Sequence, residues 1–595
     1  MSQSAEHPPA APDLIVRNGT IVDGTGAPRF VGDVAVRDGV IVSVGDLGPG
    51  ATAGATATTE IDATGMIVTP GFVDHHTHYD GQVTWDPLLE PSSGHGVTTI
   101  VTGNCGVGFA PVRPDGHAQL IALMEGVEDI PGSALTEGIT WGWESFPEYL
   151  DTLEGHRWSV DVATQIAHSA VRVYVMGDRG ANNEAATADD IAAMGRITRE
   201  AIEAGALGFS TSRTLGHTTR DGVPVPGTFA SEDELFGIVA EMSRASTPSR
   251  FEIAELGAAG EDPEGLLKEL DWMRRVSIEF GQKITYLLLQ FPSAPELWRE
   301  QLARTEQANA DGADIVVQVA NRPFGMLIGF PSYHAFMKRP TFAALAAQHP
   351  GLGELAAELR KPEVKAAILA ESDTADSGNH YEGLAFLVQG QLASLYPLDD
   401  VDYEPTPDRS VAALAAAAGR EPLEFLYDLL LEDDAQNLLM LPFFNYCDGD
   451  HEALRAMMEH PATVLGLGDG GAHCALICDA SMPTYMLAHW VRDRTRGPRI
   501  ELEAAVKMLS RDGADLYGLG DRGTIAVGQK ADLNVIDLDR VDLERPRAVD
   551  DLPAGGRRLL QHARGYVATI VSGEITRRDG VDTGARPGRL VRGAR

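Results

Sequence analysis

The chain contains the stretch Gly71-Phe72-Val73-Asp74-His75-His76-Thr77-His78, which ends an apolar segment with two histidines one residue apart. In a β-strand, the side chains at positions i and i+2 point to the same face. His76 and His78 can therefore both reach one metal ion, and histidine nitrogens are common zinc ligands. Chance histidine pairs of this spacing also occur on surface strands, so the assignment depends on the rest of the chain.

The composition and the net charge exclude some classes of protein. The 595 residues are 44% hydrophobic and 23% charged, as in a globular protein, and the net charge of −38 would repel nucleic acid and anionic membrane surfaces. No apolar stretch approaches the roughly 20 residues that span a bilayer, and the start lacks the features of a secretory signal. We expect a cytoplasmic protein that acts on a small molecule, with no nucleic-acid or membrane partner, and a homo-oligomer is left open.

The middle of the chain alternates apolar, strand-like runs with helical stretches rich in Ala, Leu and Glu, which predicts an α/β fold of the (β/α)8 TIM-like barrel type over residues 66–519. The predicted barrel strands are residues 66–74, 98–102, 160–167, 206–210, 250–254, 283–290, 313–319 and 463–467. Residues 324–450 contain few strand-like runs, so we expect a mostly helical insertion. An insertion after the seventh strand lies above the active site, where it can form a lid.

Both ends of the chain have the alternating pattern of short strands. Residues 1–12 are rich in Pro and Ala and are predicted to be disordered. Residues 13–65 alternate Ile and Val with polar residues between turn signals such as Asn18-Gly19, and residues 520–595 again contain short strand-like runs. The pattern predicts a β unit on each side of the barrel.

Several motifs carry a resemblance to a known family. The block from Glu60 to His78 resembles the first barrel strand of the amidohydrolase superfamily, and residues 102–111, Thr-Gly-Asn-Cys-Gly-Val-Gly-Phe-Ala-Pro, resemble the N-acyl-D-amino-acid deacylase (D-aminoacylase) family. The likeness extends from residues 18–27 to residues 587–589. It implies that both termini build one composite β-sandwich beside the barrel. It also implies a zinc-dependent hydrolase of a non-peptide C–N amide bond, with an N-acyl (D-)amino acid or related N-acyl amide as substrate.

The resemblance also implies roles for individual residues. Cys105 corresponds to a zinc ligand of the family, whereas a lone cysteine between apolar residues is otherwise a buried structural residue. Asp469, in the stretch Leu465-Gly-Leu-Gly-Asp-Gly-Gly-Ala-His473, corresponds to the aspartate that contacts the metal and acts as general base. An ordinary Asp-Gly turn is the alternative. His473 is a candidate to stabilise the oxyanion.

The sequence departs from the family at two strands. In characterised members the fifth and sixth strands each end in a metal-binding histidine, but here residues 249–256 and 284–290 contain none. The residues that survive surround the first-strand metal position. We therefore expect one Zn²⁺ rather than two, or an unusual second ligand such as Glu252 or Glu255.

The substrate is less sharply defined by the sequence. Arg213 and His217 follow the fourth strand, and an arginine there could bind a substrate carboxylate through two hydrogen bonds. His168 ends the third strand and is either a substrate hydrogen-bonding group or a core histidine. Two other functions stay open: hydrolysis of a cyclic amide, carbamate or ester on the same site, and an inactive barrel scaffold, which the missing histidines motivate.

Overall fold

The apolar segment before the two histidines divides into two strands at Gly71. In the computed structural model, which describes residues 11–48, 59–374 and 383–593, Ile67–Pro70 pairs with strands from both ends of the chain and Phe72–Asp74 begins the barrel. The Gly71 amide donates to the carbonyl of Asp532, and a Cβ atom at this position would collide with the side chain of Thr98. The expected single strand over 66–74 is therefore two strands in different sheets.

Eight parallel strands form the barrel among the described residues. They are Phe72–Asp74 (β1), Val97–Thr102 (β2), Asp161–Thr164 continued by Ile166–Ala167 (β3), Gly208–Ser212 (β4), Arg250–Ala254 (β5), Lys283–Leu287 (β6), Asp314–Val319 (β7) and Thr463–Leu465 (β8). The barrel closes between its first and last strands just beyond their ends, where Thr77 forms a parallel bridge with Gly470 and the His78 amide donates to the Gly470 carbonyl at 2.8 Å. The predicted barrel is confirmed.

Helices connect the barrel strands and follow the last of them. The main ones between and after the strands are His117–Glu128, Gly132–Gly138, Phe146–Glu154, His168–Met176, Ala188–Ala204, Glu232–Met242, Pro263–Phe280, Leu297–Ala310, Glu452–Met458, Met486–Asp493 (a π-helix), Leu502–Leu509 and Arg511–Leu516. Two of them begin with a capping box, at Ser145 with Glu148 and at Thr187 with Asp190, which satisfies amides that the first helical turn leaves without partners. Val, Ile and Phe side chains on these helices and on the strands form the largest apolar core.

Strands from both ends of the chain form one sheet. In order across the sheet they are Val581–Asp582, Glu574–Arg578, Tyr566–Val571, Leu533–Ile536, Ile67–Pro70, Leu14–Ile21, Phe30–Arg37 and Val40–Gly45, with Thr59–Asp62 paired to Leu14–Ile21. This sheet has an apolar core of its own. The predicted disordered segment, residues 1–12, lies almost wholly outside the described residues.

The segment between β7 and β8 is more varied than the sequence pattern suggests. Its helices are Pro340–Gln348, Leu352–Leu359, Pro362–Ala370, Gly383–Gly390, Val411–Ala417 and Pro422–Leu430. Phe324–Ile328, Tyr396–Pro397 and Leu439–Phe444 add a three-stranded antiparallel sheet, and the segment has a separate apolar core. Its exact boundaries as an insertion stay a prediction. In the described chain, no helix has both the length and the apolar character needed to cross a membrane.

Candidate metal centre

Four candidate residues come together at the carboxyl end of the barrel. The ligand atoms of His76, His78 and Cys105 all lie within 4.8 Å of one another, and Cys105 Sγ is 3.4 Å from His76 Nε2. Asp469 Oδ1 is 3.4 Å from His76 Nε2 and 3.7 Å from His78 Nε2. All four side chains are buried. Residues that follow β1, β2 and β8 thus face a common point.

Backbone conformation holds two of these residues in place. Cys105 and Asp469 have φ angles of 53° and 45°, in the left-handed region that non-glycine residues seldom adopt, and each such residue costs of order 1 to 3 kcal/mol. Around the cysteine, a Cβ at Gly103 would collide with the carbonyl of Gln165, and one at Gly106 would collide with the backbone of β4. The Gly-Asn-Cys-Gly turn therefore depends on its two glycines.

Asn104 closes the same turn through its side chain. Its amide donates to the carbonyls of Thr77 and Val101, at 3.0 and 2.9 Å, and its oxygen accepts from the side chain of Gln165. The cysteine loop is thus bonded to the histidine segment that follows β1, to its own strand and to β3. Such bonding fixes the position of Cys105 relative to His76 and His78.

The electrostatics of the four residues suit a cation. Burial lowers the pKa of His76 to about 3, so its imidazole is neutral and can offer a nitrogen lone pair. Burial raises the pKa of Asp469, and also that of Glu128, whose carboxyl lies near those of Asp469, Asp80 and Glu252. Carboxylates crowded in a buried site repel one another, and a bound cation relieves that repulsion.

Unpaired polar atoms give a second indication. Among the described residues, buried atoms of His78 (Nδ1), Glu128 (Oε1), Glu252 (Oε1) and Glu255 (Oε1) have no hydrogen-bond partner. A thiolate, two imidazoles and a carboxylate are a donor set that zinc prefers over the harder magnesium and calcium ions. The residues at this point fit a zinc ion.

Glu252 and Glu255 lie near Cys105. Glu252 Oε2 accepts the Cys105 amide at 2.9 Å, and burial raises the pKa of this carboxyl to about 8. Glu255 Oε2 accepts the Leu287 amide at 3.3 Å. Each glutamate thus accepts a backbone amide with one carboxylate oxygen. A role of Glu252 as a metal ligand stays a prediction.

His473 and His217 lie close to His76 and His78. The His473 side chain is 28% exposed and its φ angle is 48°. Burial lowers its pKa to about 4, with a smaller contribution from the charge of His217. His217 Nδ1 lies 2.8 Å from the Ser212 hydroxyl. The structure places both predicted histidines near the metal centre.

Arg213 and His168 already have protein partners. The Arg213 guanidinium donates from Nε and Nη2 to the Glu269 carboxylate, at 2.6 and 3.2 Å, and from Nη1 to the Ala230 carbonyl. His168 lies between the Thr211 hydroxyl and Glu234, at 2.8 and 3.1 Å. His168 has the environment of a core histidine, and substrate binding by either residue stays a prediction.

Sequence reasoning missed Glu128 and Gln318. Glu128 ends the helix His117–Glu128, with Oε1 3.3 Å from His78 Nδ1 and Oε2 3.6 Å from His473 Nε2. Gln318, on β7, has Oε1 2.8 Å from His76 Nδ1. Neither residue stands in a motif that would have indicated its place beside the two histidines.

A second histidine–carboxylate group lies away from this centre. Glu404, His451 and His489 also have ligand atoms within 4.8 Å of one another, but Arg494 donates to both carboxylate oxygens of Glu404, at 3.2 and 3.1 Å. A guanidinium at that position repels a cation. The group instead joins the segment before β8 to the helix region after it through a buried ion pair.

Breaking that ion pair is expected to destabilise the protein. Arg494→Met leaves Glu404 buried without its cation, which costs about 3–5 kcal/mol of unfolding free energy. Arg304→Met is the control, because the Arg304–Glu300 pair is exposed and such pairs contribute only about 0–1 kcal/mol. Urea unfolding measures both values, and equal effects of the two substitutions would contradict the argument.

A parallel barrel with two histidines, a cysteine and an aspartate around one point defines a barrel enzyme with a zinc-type metal site. The chain belongs to the amidohydrolase family, whose model matches residues 59–577. The predicted family, and with it the prediction of a metal-dependent hydrolase, is confirmed at the level of the family.

The chain is also similar to individual proteins and solved structures. It is 26% identical over 539 residues to the N-acyl-D-glutamate deacylase of Alcaligenes xylosoxydans xylosoxydans, covering 89% of this chain and 88% of the relative. The structure of N-acyl-D-glutamate deacylase from Bordetella bronchiseptica, complexed with zinc and a phosphonate inhibitor, has a TM-score of 0.63 and 23% identity, with 98% and 100% of the two chains covered. A D-aminoacylase described as having a binuclear metal centre has a TM-score of 0.62 and 24% identity, with the same coverage. These two structural likenesses show the fold.

Proposed function

We propose that this protein hydrolyses the C–N bond of an N-acyl amide, most directly an N-acyl (D-)amino acid, with one bound zinc ion. The observation that carries the proposal is the convergence of His76 Nε2, His78 Nε2, Cys105 Sγ and Asp469 Oδ1. When bound, zinc supplies Lewis acidity, which makes water a nucleophile at neutral pH and polarises the amide carbonyl. The family and the named activities of the relatives support the same reaction class.

Asp469 and His473 perform the proton chemistry in this proposal. Asp469 accepts a proton from the attacking water as the oxygen forms its bond to the carbonyl carbon, and it then delivers that proton to the amide nitrogen as the C–N bond breaks. The products are a carboxylate and an amine. His473, on the same loop as Asp469 and partly exposed, faces the entering substrate and donates a hydrogen bond to the developing oxyanion.

A second substrate class is favoured by one observation. Three of the five N–H groups of Arg213 are directed to Glu269 and the Ala230 carbonyl, so its charge already has a protein partner. Substrates without a carboxylate, such as cyclic amides, carbamates or esters, do not need such a cation. They are the alternative to N-acyl amino acids on the same site.

Metal removal is expected to abolish hydrolysis, and added Zn²⁺ is expected to restore it. The assay uses N-acetyl-D-amino acids, their primary amides, and cyclic amides, carbamates and esters, so that it also separates the two substrate classes. Circular dichroism checks that the metal-free protein stays folded. Full activity in folded, metal-free protein would overturn the proposal.

Metal analysis tests the number of ions and the scaffold alternative. We expect about one zinc per chain that is lost in His76→Ala and kept in His349→Ala, which removes a partly exposed histidine far from the cluster in sequence. Two tightly held ions per chain would contradict the one-ion prediction. Protein with neither bound metal nor turnover would favour the inactive scaffold. A cytoplasmic location and a homo-oligomer stay predictions, which cell fractionation and light scattering test.

A further inference from the structure

Glu128 is a buried carboxylate that lies between a candidate metal ligand and a candidate catalytic residue. Its Oε1 is 3.3 Å from His78 Nδ1, and its Oε2 is 3.6 Å from His473 Nε2. Only 1% of Glu128 is exposed, and His78 Nδ1 and Glu128 Oε1 are both among the buried atoms of the described residues that have no hydrogen-bond partner. The two unpaired atoms therefore face each other.

The two ligand histidines have the same arrangement. His76 directs Nε2 to the convergence point and Nδ1 to the Gln318 side-chain oxygen at 2.8 Å. His78 directs Nε2 to the same point and Nδ1 to Glu128. In metal sites, an oxygen that accepts the N–H of one ring nitrogen fixes the tautomer and leaves the other nitrogen free to bind the ion. Gln318 and Glu128 occupy equivalent positions, but Gln318 offers an amide oxygen and Glu128 a carboxyl group.

The backbone around Glu128 is fixed from three directions. The helix ends here because Asp129 adopts a left-handed φ of 51°, and the Glu128 carbonyl accepts the amide of His473. The Asp129 carboxylate accepts the Tyr333 hydroxyl at 2.9 Å and the Ala475 amide at 3.1 Å. The position of the Glu128 side chain is thus set jointly by the helix after β2, the loop after β8 and a residue of the segment between β7 and β8.

We propose that Glu128 is a positioning residue that holds His78 in the tautomer that binds metal through Nε2 and holds His473 beside it. One carboxylate oxygen accepts the His78 Nδ1–H, the other lies 3.6 Å from His473 Nε2, and the Glu128 carbonyl accepts the His473 amide. The proposal rests on the proposed function, because it takes His78 to be a metal ligand. Glu128 then links the metal centre to the loop that carries Asp469 and His473.

Zinc affinity tests this role without relying on turnover. Glu128→Gln and Glu128→Ala are expected to raise the zinc dissociation constant by about 10- to 100-fold, as loss of an outer carboxylate partner does in other metal sites. Gln318→Ala is expected to act in the same direction through His76. Glu125→Gln is the matched control, because Glu125 lies three residues earlier in the same helix and pairs with the exposed Arg220. Competition with a chelator measures each constant.

Thermal unfolding of the metal-free variants separates positioning from folding. A positioning role predicts an unchanged Tm of the metal-free protein together with weaker zinc binding. Glu128→Asp keeps the carboxyl group on a shorter side chain, so its zinc dissociation constant is expected to lie between those of wild type and Glu128→Ala. This variant tests the proposal if the other Glu128 variants do not fold. If folded Glu128 variants bind zinc as tightly as wild type, the positioning role is overturned and the proposed function is not. Wild-type protein that binds no zinc would overturn the proposed function as well.

Discussion

Asp469→Asn is expected to lower kcat/KM by about 100- to 10,000-fold, the range that general acid–base groups typically contribute. Asparagine keeps the size of the side chain and one oxygen, but it accepts no proton from the attacking water and has none to return to the leaving nitrogen. The folded structure and much of the zinc affinity should persist, because His76, His78 and Cys105 still surround the ion position. Added zinc should not restore activity.

Steady-state kinetics and zinc content, measured on the same samples across a zinc titration, check this result. Asp515→Asn is the control, because Asp515 is an exposed aspartate on the helix Arg511–Leu516 and pairs only with Arg511 at the surface. Recovery of Asp469→Asn at high zinc would show that Asp469 acts only as a ligand. An activity close to that of wild type would remove Asp469 from the mechanism.

The barrel was predictable from the chain because strand and helix patterns alternate with clear periods. Seven of the eight predicted segments overlap their observed strands closely, whereas the first was expected over 66–74 and is cut at Gly71. An apolar run of residues does not indicate which sheet each of its parts will join. The division depends on contacts with Thr98 and Asp532, which are distant in sequence.

The candidate site was predictable only in part. His76, His78, Cys105 and Asp469 stand in local motifs, and each motif indicates metal chemistry at a strand end. Glu128 and Gln318 stand in no such motif, because their positions follow from a helix end and from the face of β7 that points inward. The pairing of Arg213 with Glu269 was hidden for the same reason, since Glu269 lies 56 residues away on the helix Pro263–Phe280.

Cys105→Ala is expected to affect the metal rather than the proton transfer. Removing the thiolate deletes a soft ligand from a set of three whose atoms lie within 4.8 Å, so the zinc dissociation constant should rise by more than the roughly 10- to 100-fold typical of outer-shell changes. Activity at low zinc should fall accordingly. Because Asp469 and His473 remain, excess zinc should restore part of the turnover, which distinguishes this variant from Asp469→Asn.

The same zinc titration decides whether Cys105 is a ligand or a core residue. Burial raises the pKa of its thiol, so in the metal-free protein the group is a neutral side chain in a buried turn. Cys478→Ala is the matched control, because Cys478 is also buried but lies beside Arg322 and Asp479, outside the group of converging ligand atoms. A ligand role predicts a large rise in the dissociation constant for Cys105→Ala and none for Cys478→Ala. If Cys105→Ala binds zinc as tightly as wild type, the cysteine only fills the turn, and the left-handed backbone at this position has a structural cause alone.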